Sequence, residues 1–298
     1  MREQQADPKT LAKKEEGNDM THKRIGPLIG KIIIFLILGI LAFSTLLPYI
    51  LMISLSLMAE FEMYQMPPRL FPVIARWSNY IDMWNAQPWG RYILNTLFVT
   101  ATVLVGQLVL ISMGGYALAR MQFPGRDLLF TVFIAFMMLP GVVTLIPGFI
   151  ILHALKWVDT YWALIIPALG NIWGLFLMRQ YMLTLPTSLE DAGRIDGASY
   201  LYIYWKIILP LSKPVLATVG TFTFLGMWRS FFWPLIVTRS REMRVIEVGI
   251  AMFSTQYSTN YPAQMAAATL SSIPMILVYL LAQKWIVQGI KLNAGYDR

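Results

Sequence analysis

The sequence predicts an all-α membrane protein with six transmembrane helices. Three observations predict it. Hydrophobic residues make up 57% of the 298-residue chain and charged residues only 13%, against roughly 45–50% and about 25% in soluble domains. The apolar residues gather in runs, and six stretches approach or exceed the about 20 residues a spanning helix needs: 29–57, 93–117, 128–151, 161–183, 210–237 and 266–288. The basic residues are shared unevenly between the segments that join them. Six spans put both ends on one side, and the segments on that side carry sixteen Lys and Arg against seven on the other. That bias places both termini in the cytoplasm, and it accounts for the net charge of +8 without a nucleic-acid partner.

Residues 1–27 are polar and mixed in charge with no apolar period, the pattern of a disordered cytoplasmic tail. The first apolar run is too long for a signal peptide and no small-residue cleavage site follows it. Residues 59–91 read as an external segment with Pro67-Pro68, Trp77, Trp84 and Trp89, residue types that settle at the headgroup level. Helix breakers fall inside several spans: Pro140-Gly141 and Pro147 in the third, Pro167 in the fourth, Pro274 in the sixth. They serve either ordinary membrane-helix packing or hinges between two access states. Gly170 and Gly174 form a small-xxx-small pair, a signature of close helix approach.

The fourth and fifth spans are joined by a long polar stretch on the basic side, residues 186–214. Ser188 with Asp191 three residues on has the form of a capping box, which predicts a short helix over 189–196. Gly197 is placed to end it in a left-handed conformation. Tyr200, Ile203, Tyr204 and Ile207 then share one helical face, and Pro210 stops the second helix. Such a hairpin suits either docking on a soluble partner or lying on lipid headgroups.

This loop resembles the EAA motif of ABC importer permeases: Glu-Ala-Ala, three residues, Gly, nine residues, Ile, one residue, Leu-Pro. Asp191, Ala192 and Gly193 take the first places, Gly197 the next, and Ile207, Leu209 and Pro210 the last, with no gap in either spacing. Asp stands for Glu, and Gly for Ala. Other segments are similar to the sugar-importer branch: Tyr116-Ala117-Leu118-Ala119-Arg120 with Phe123-Pro124-Gly125-Arg126, Asn79-Tyr80, Asn95-Thr96, and Trp228 with Phe231, Phe232, Trp233, Pro234 and Leu235. The resemblance covers about residues 30–290 and is nearest to the maltose-type second permease subunit. The C-terminal residues 289–298 depart from the Gly-rich tail common in that family.

The resemblance implies a type I ABC importer permease fold in the bacterial inner membrane. It implies a cytoplasmic tail over 1–27, a permease domain over 28–291 with its coupling (EAA) loop at 186–210, and a short tail over 292–298. It implies a second homologous permease, a dimer of cytoplasmic ATPases that binds ATP and Mg, an extracytoplasmic solute-binding protein and a carbohydrate substrate. Glu190, Asp191, Ala192, Gly193, Asp196, Gly197, Ile207, Leu209 and Pro210 would couple to the ATPase. Gln256, Tyr257, Asn260 and Gln264 would meet the binding protein. Trp228, Arg229 and Trp233 would line the pathway.

Two features bear on chemistry directly. The string Gly26-Pro27-Leu28-Ile29-Gly30-Lys31-Ile32 has one residue too few between its glycines and lacks the final Ser or Thr of a Walker A loop, so energy must come from a partner or a gradient. With no cysteine, only His22 and His153, and no HExxH, the chain offers no cysteine nucleophile and no zincin motif. A gradient-driven transporter would want paired carboxylates in the spans, and Asp and Glu lie mostly in the loops and tail. Arg229 stands where the family carries Asn before an acidic residue. In a span, such a cation either faces a polar cavity, where it would favour an anionic solute such as a uronic-acid oligosaccharide, or snorkels or pairs with the sister subunit.

Overall fold

The computed structural model describes residues 8–254 and 260–294, with side chains described over 30–254 and 260–284. Every regular element among the described residues is helical. The first span belongs to α1 (Pro8–Ser56), followed by the short α2 (Glu60–Met63) and α3 (Ser78–Ala86). The second is α4 (Trp89–Arg120), the third the pair α5 (Arg126–Met137) and α6 (Gly141–Ala154). The fourth joins α7 (Tyr161–Ile165), a 3-10 turn over Pro167–Leu169 and α8 (Ile172–Leu183). A hairpin follows: α9 (Ser188–Ile195), α10 (Tyr200–Ile203), a π turn over Tyr204–Ile208 and α11 (Leu209–Leu211). The fifth span is α12 (Lys213–Trp228), continued by α13 (Phe232–Val237). After a 3-10 turn at Arg241–Met243 come α14 (Ile246–Ala251) and the sixth span in α15 (Tyr261–Ala294).

Four segments are long and apolar enough to cross a membrane: Gly30–Ser56, Trp89–Arg120, Tyr161–Leu183 and Tyr261–Lys284. Two further pairs are bent, α5 against α6 by 101° and Tyr200–Leu211 against Lys213–Trp228 by 75°. Six crossings follow if each pair crosses once. The third span is therefore not one helix. Pro140 is extended (φ −60°, ψ 129°) at the break, because the residues around a proline cannot keep an unbroken ladder.

The tail differs from its expected disorder. Residues 1–7 lie outside the described residues, but 8–27 continue α1 as helix. Pro8 sits at the first helical position, where its missing N–H costs nothing. Between Pro8 and Pro27 the sequence carries four Lys, two Glu, Leu11 and Ala12, all good helix formers. Propagating an existing helix costs far less than nucleating one.

α4 is the centre of the bundle. It packs on α8 and α12; α15 packs on α12; α1 lies on the outside of α15. The α4–α8 approach is close because side chains are missing there. A Cβ at Gly115 would stand 2.7 Å from Met178 Cγ, and one at Gly174 would stand 3.1 Å from Ile111 Cδ1. Of the expected small pair, Gly174 makes this contact, whereas Gly170 lies in the break before α8.

That break is satisfied from α4. Buried Gln107 donates from Nε2 to the Ala168 carbonyl. Its Oε1 accepts from Asn171 Nδ2 at 2.8 Å and from Thr223 Oγ1 at 2.7 Å. Asn171 Oδ1 in turn caps α8 by accepting the Gly174 N–H at 2.8 Å. One glutamine thus ties α4, the broken fourth span and α12 together where lipid offers no hydrogen bonds.

Gln107→Leu leaves the Ala168 carbonyl, the Asn171 amide and the Thr223 hydroxyl without this partner. It should destabilise the purified assembly by roughly 1–3 kcal/mol, read as a lower midpoint in detergent thermal unfolding. Thr223→Val removes only one donor and should cost less than about 1 kcal/mol.

Candidate functional site

The hairpin between the fourth and fifth spans ends its first helix as the sequence predicts. Gly197 adopts φ +81°. Its N–H donates to the Arg194 carbonyl and the Ala198 N–H to the Gly193 carbonyl, both at 2.9 Å, the hydrogen-bond pair of a Schellman motif. The helix start differs. α9 begins at Ser188 with Thr187 as N-cap, and no side chain caps it. Thr187 is already helical (φ −67°, ψ −28°), so the extended geometry that a capping box requires is missing.

The return limb differs in register. Ser199 caps it, its hydroxyl accepting the Tyr202 N–H at 3.3 Å. The helix then widens to a π turn, in which the Leu209 N–H bonds the Tyr204 carbonyl. Pro210 follows with no N–H to give. The extra residue rotates the buried face to Ile203, Tyr204 and Ile208; Ile207 is half-buried and Tyr200 exposed. Pro210 does not stop the limb. The helix runs to Leu211 and bends at Ser212, whose hydroxyl donates to the Ile208 carbonyl at 2.8 Å.

The two limbs close because Gly193 has no side chain: a Cβ there would stand 3.2 Å from Ile203 Cγ1 and 3.3 Å from Ile207 Cδ1. The expected coupling residues therefore divide. Glu190 and Gly193 are buried, Ile207 and Leu209 half-buried. Asp191, Ala192, Asp196, Gly197 and Pro210 are exposed. Ile195, which sequence reasoning passed over, is 86% exposed at the outer face of α9.

Glu190 turns inward to Arg120 at the end of α4. Arg120 Nε lies 3.3 Å from Glu190 Oε1, and both side chains are nearly inaccessible, 5% and 8% exposed. The Arg120 Nη2 also donates to the carbonyls of Met182, in the last turn of α8, and of Leu185 just after it. Burial raises the Glu190 pKa above the ordinary carboxylate range, against the opposing pull of Arg120 and Arg194. The pair is close but misaligned. Arg120 Nε, Glu190 Oε1 and the nearby Tyr116 hydroxyl are three of the four buried side-chain atoms without a hydrogen bond among the described residues. An unsatisfied buried polar group costs about 1–3 kcal/mol, so these groups do not make here the best contacts open to them.

The three expected pathway residues are not brought together. Trp228 is 3% exposed, packed in a core with Trp89, Tyr92 and Phe253, and donates to the Ser271 carbonyl at 3.0 Å. Trp233 lines a cavity of about 420 Å³ with Thr96, Thr144 and Ser230, its indole N–H bonded to the Ala163 carbonyl at 2.8 Å. Arg229 opens onto a different cavity of about 590 Å³, shared with Glu247, Ser271, Ser272, Tyr49 and Tyr279. Arg229 is the C-cap of α12, in the break before α13 within the fifth span. The helix dipole favours a cation at that end, which offsets part of the cost of a charge in a span. Glu247 of α14 lines the same cavity and makes no ion pair with Arg229 within 4 Å.

The segment between α13 and α14 is fastened to α4. Asn95 Nδ2 donates to the carbonyls of Glu242 and Arg244 at 2.7 and 2.8 Å, and Thr96 Oγ1 accepts the Ile246 N–H at 2.9 Å. Asn260 begins α15, its Oδ1 accepting the Ala263 N–H at 3.1 Å, with Gln264 one turn on. Gln256 and Tyr257 lie outside the described residues.

Membrane-length helices around mostly apolar cavities that carry a few hydroxyls, with a polar hairpin between two spans, fit the membrane subunit of a transporter. The chain belongs to the family described as the binding-protein-dependent transport system inner membrane component, whose model matches residues 110–292. It is 34% identical to the sn-glycerol-3-phosphate transport system permease protein UgpE of Yersinia pestis, over 86% of this chain and 94% of that one. It is 35% identical to the arabinooligosaccharides transport system permease protein AraQ of Halalkalibacterium halodurans, over 67% and 71%. Its fold superposes with a TM-score of 0.76 and 28% identity on a chain of a bacterial ABC transporter involved in the import of the acidic polysaccharide alginate, over 87% of this chain and 96% of that one. This is the ABC importer permease fold, in an inner-membrane transport subunit whose energy comes from a separate ATPase. The gradient-driven and intramembrane-enzyme alternatives fall with that membership.

Gly197→Ala meets no neighbouring atom, so its cost is conformational, about 1–2 kcal/mol for a left-handed residue with a Cβ. We expect faster proteolytic cutting in the hairpin. Gly197→Asn, which tolerates that conformation better, should be cut more slowly than the alanine variant.

Proposed function

We propose that this chain forms part of the translocation pathway for a carbohydrate, with an anionic, uronic-acid-type oligosaccharide as the preferred class. The observation that carries the proposal is Arg229, whose guanidinium has no ion-pair partner within 4 Å among the described residues and faces a cavity rich in hydroxyls. A guanidinium fork matches a carboxylate, and serine and tyrosine hydroxyls match sugar hydroxyls. The named relatives point the same way: alginate and glycerol 3-phosphate are both anionic. A second reading, a neutral sugar or other small solute, is favoured by Glu247 in the same cavity and by the arabinooligosaccharides that name the relative AraQ. In that case Trp233, with the hydroxyls around it, is the stacking surface.

On this proposal α9 docks a cytoplasmic ATPase dimer, which holds ATP and Mg, and both termini are cytoplasmic. The outward residues Asp191, Ala192, Ile195 and Asp196 make the contact. Glu190, Gly193, Ile207, Leu209 and Pro210 hold the hairpin's shape. Asn260 and Gln264 with the adjoining Gln256 and Tyr257 contact the solute-binding protein. The exposed apolar surface of α1 is covered by lipid and by the sister permease, since none of its most apolar stretch is buried within the chain.

The test is reconstitution with the sister permease, the ATPase and the binding protein, followed by ATP hydrolysis in the presence of acidic and neutral oligosaccharides. Stimulation by acidic sugars alone is expected. Arg229→Ala should weaken that response about 10- to 100-fold, the worth of one hydrogen-bonded charge, and leave any neutral-sugar response unchanged. Stimulation by neutral sugars alone would replace the anionic reading. Ile195→Asp should lose ATPase on co-purification while the two permeases stay together.

A further inference from the structure

We propose that the Arg120–Glu190 pair is a positioning device that carries displacement of α9 into α4 and α8, keeping ATP hydrolysis and transport coupled. The inference rests on reading α9 as the ATPase-docking helix.

Three observations carry it. First, two opposite charges are buried at the root of the hairpin in an otherwise apolar cluster that includes Ile111, Met178, Ile203 and Ile208. In such a low-dielectric place, parting a charge from its counter-ion is costly. α9 therefore cannot be pulled away from α4 by itself; it takes α4 with it or forces the junction to re-form. Secondly, Arg120 is shared. The same guanidinium that faces Glu190 holds the carbonyls of Met182, in the last turn of α8, and of Leu185 just after it. A force on Glu190 therefore reaches the second and fourth spans through one side chain. Apolar contacts around Ile203 would let the limbs slide, whereas a guanidinium held by two carbonyls and facing a carboxylate restricts that sliding. Thirdly, the junction is slack. Arg120 Nε and Glu190 Oε1 approach to 3.3 Å without hydrogen-bond alignment, and the Tyr116 hydroxyl beside them has no partner. A modest shift of α9 can align these groups, giving the packed interface a second arrangement in which to settle.

Neither residue needs to touch ATP or solute. Both act through α9, so the readout must follow transmission and not binding. The chain has no cysteine, so Ser230→Cys places a single thiol in the cavity beside Trp233. In the whole transporter, its modification by a membrane-impermeant maleimide is timed with and without vanadate-trapped nucleotide. With Glu190 and Arg120 intact, trapping should change the rate about tenfold, as for a site open in one state and closed in the other. In Glu190→Gln and Arg120→Lys, the same amount of nucleotide should be trapped and the rate should not change. A rate change that persists in both variants overturns the proposal. So does a parent transporter whose thiol does not respond. Failure of both variants to assemble would make the pair a folding contact only, which also overturns it. If no ATPase accompanies the parent complex, the docking reading of α9 is what fails, and the two failures are told apart before any thiol is modified.

Discussion

A carbonyl released from its helix inside a membrane has no water to turn to, and this constraint organises the bundle around α4. The fourth span is broken near Pro167, and its last carbonyls lie in the final turn of α8 and just after it. Both groups are met by side chains of α4. Gln107 takes the Ala168 carbonyl, and Arg120 takes those of Met182 and Leu185. The two donors are thirteen residues apart, about 20 Å along a helix axis. α4 therefore grips the fourth span at two separated points, and the small residues between, Gly114 and Gly115, let the helices lie close enough for both grips to reach. The glutamine end is shared with α12 through Thr223, and the arginine end with the hairpin through Glu190.

That arrangement gives the hairpin two faces with different work. The inner face is set by Gly193 under Ile203 and Ile207 and by Glu190 on Arg120. The outer face is short, mixed and unpartnered within the chain, with Ile195 beside Asp191 and Asp196. On the docking reading, Ile195 is an exposed aliphatic residue ringed by polar ones, which is the composition of a small docking site. The substitution of Gly for the family's Ala at 193 also has a local reason. The limbs approach so closely that a methyl group would press on two isoleucines.

Much of this was legible in the sequence. The length and hydropathy of the spans, the hairpin between the fourth and fifth and the left-handed Gly197 all follow from local chemistry. What escaped depended on distance in space. Gln107 and Asn171 are single polar residues in apolar runs, a visible signal, but only the fold reveals that they meet. The π turn shifts the buried face by one residue, because a proline three positions after Ile207 disturbs the ladder in a way that periodicity does not encode. The disorder expected of residues 8–27 rested on composition, and composition does not register that a helix already started at the membrane can be extended cheaply. Arg229 was read as a charge within a span. The chain places it just past the end of α12, where the dipole and a polar cavity receive it.

The change of place alters what Arg229 means. A mid-span arginine would cost about 2.5–3.5 kcal/mol on insertion scales, and so expensive a residue demands a function. At a helix C-terminus the dipole contributes in the opposite direction, by about 0.3–1 kcal/mol. The dipole offsets only part of that cost, and the rest falls to the polar groups of the cavity. The argument passes to the cavity itself. Glu247 and Arg229 look across the same space, lined on one side by Ser271, Ser272 and Tyr279 and on the other by Met52 and Leu225. Had the two charges closed into an ion pair, each would have satisfied the other and the cavity would have presented mostly hydroxyls. Held apart, they leave the cation able to accept an anionic group and the carboxylate able to accept a hydroxyl. On the proposed function, their separation, more than the presence of either charge, is what would let this cavity discriminate between solutes.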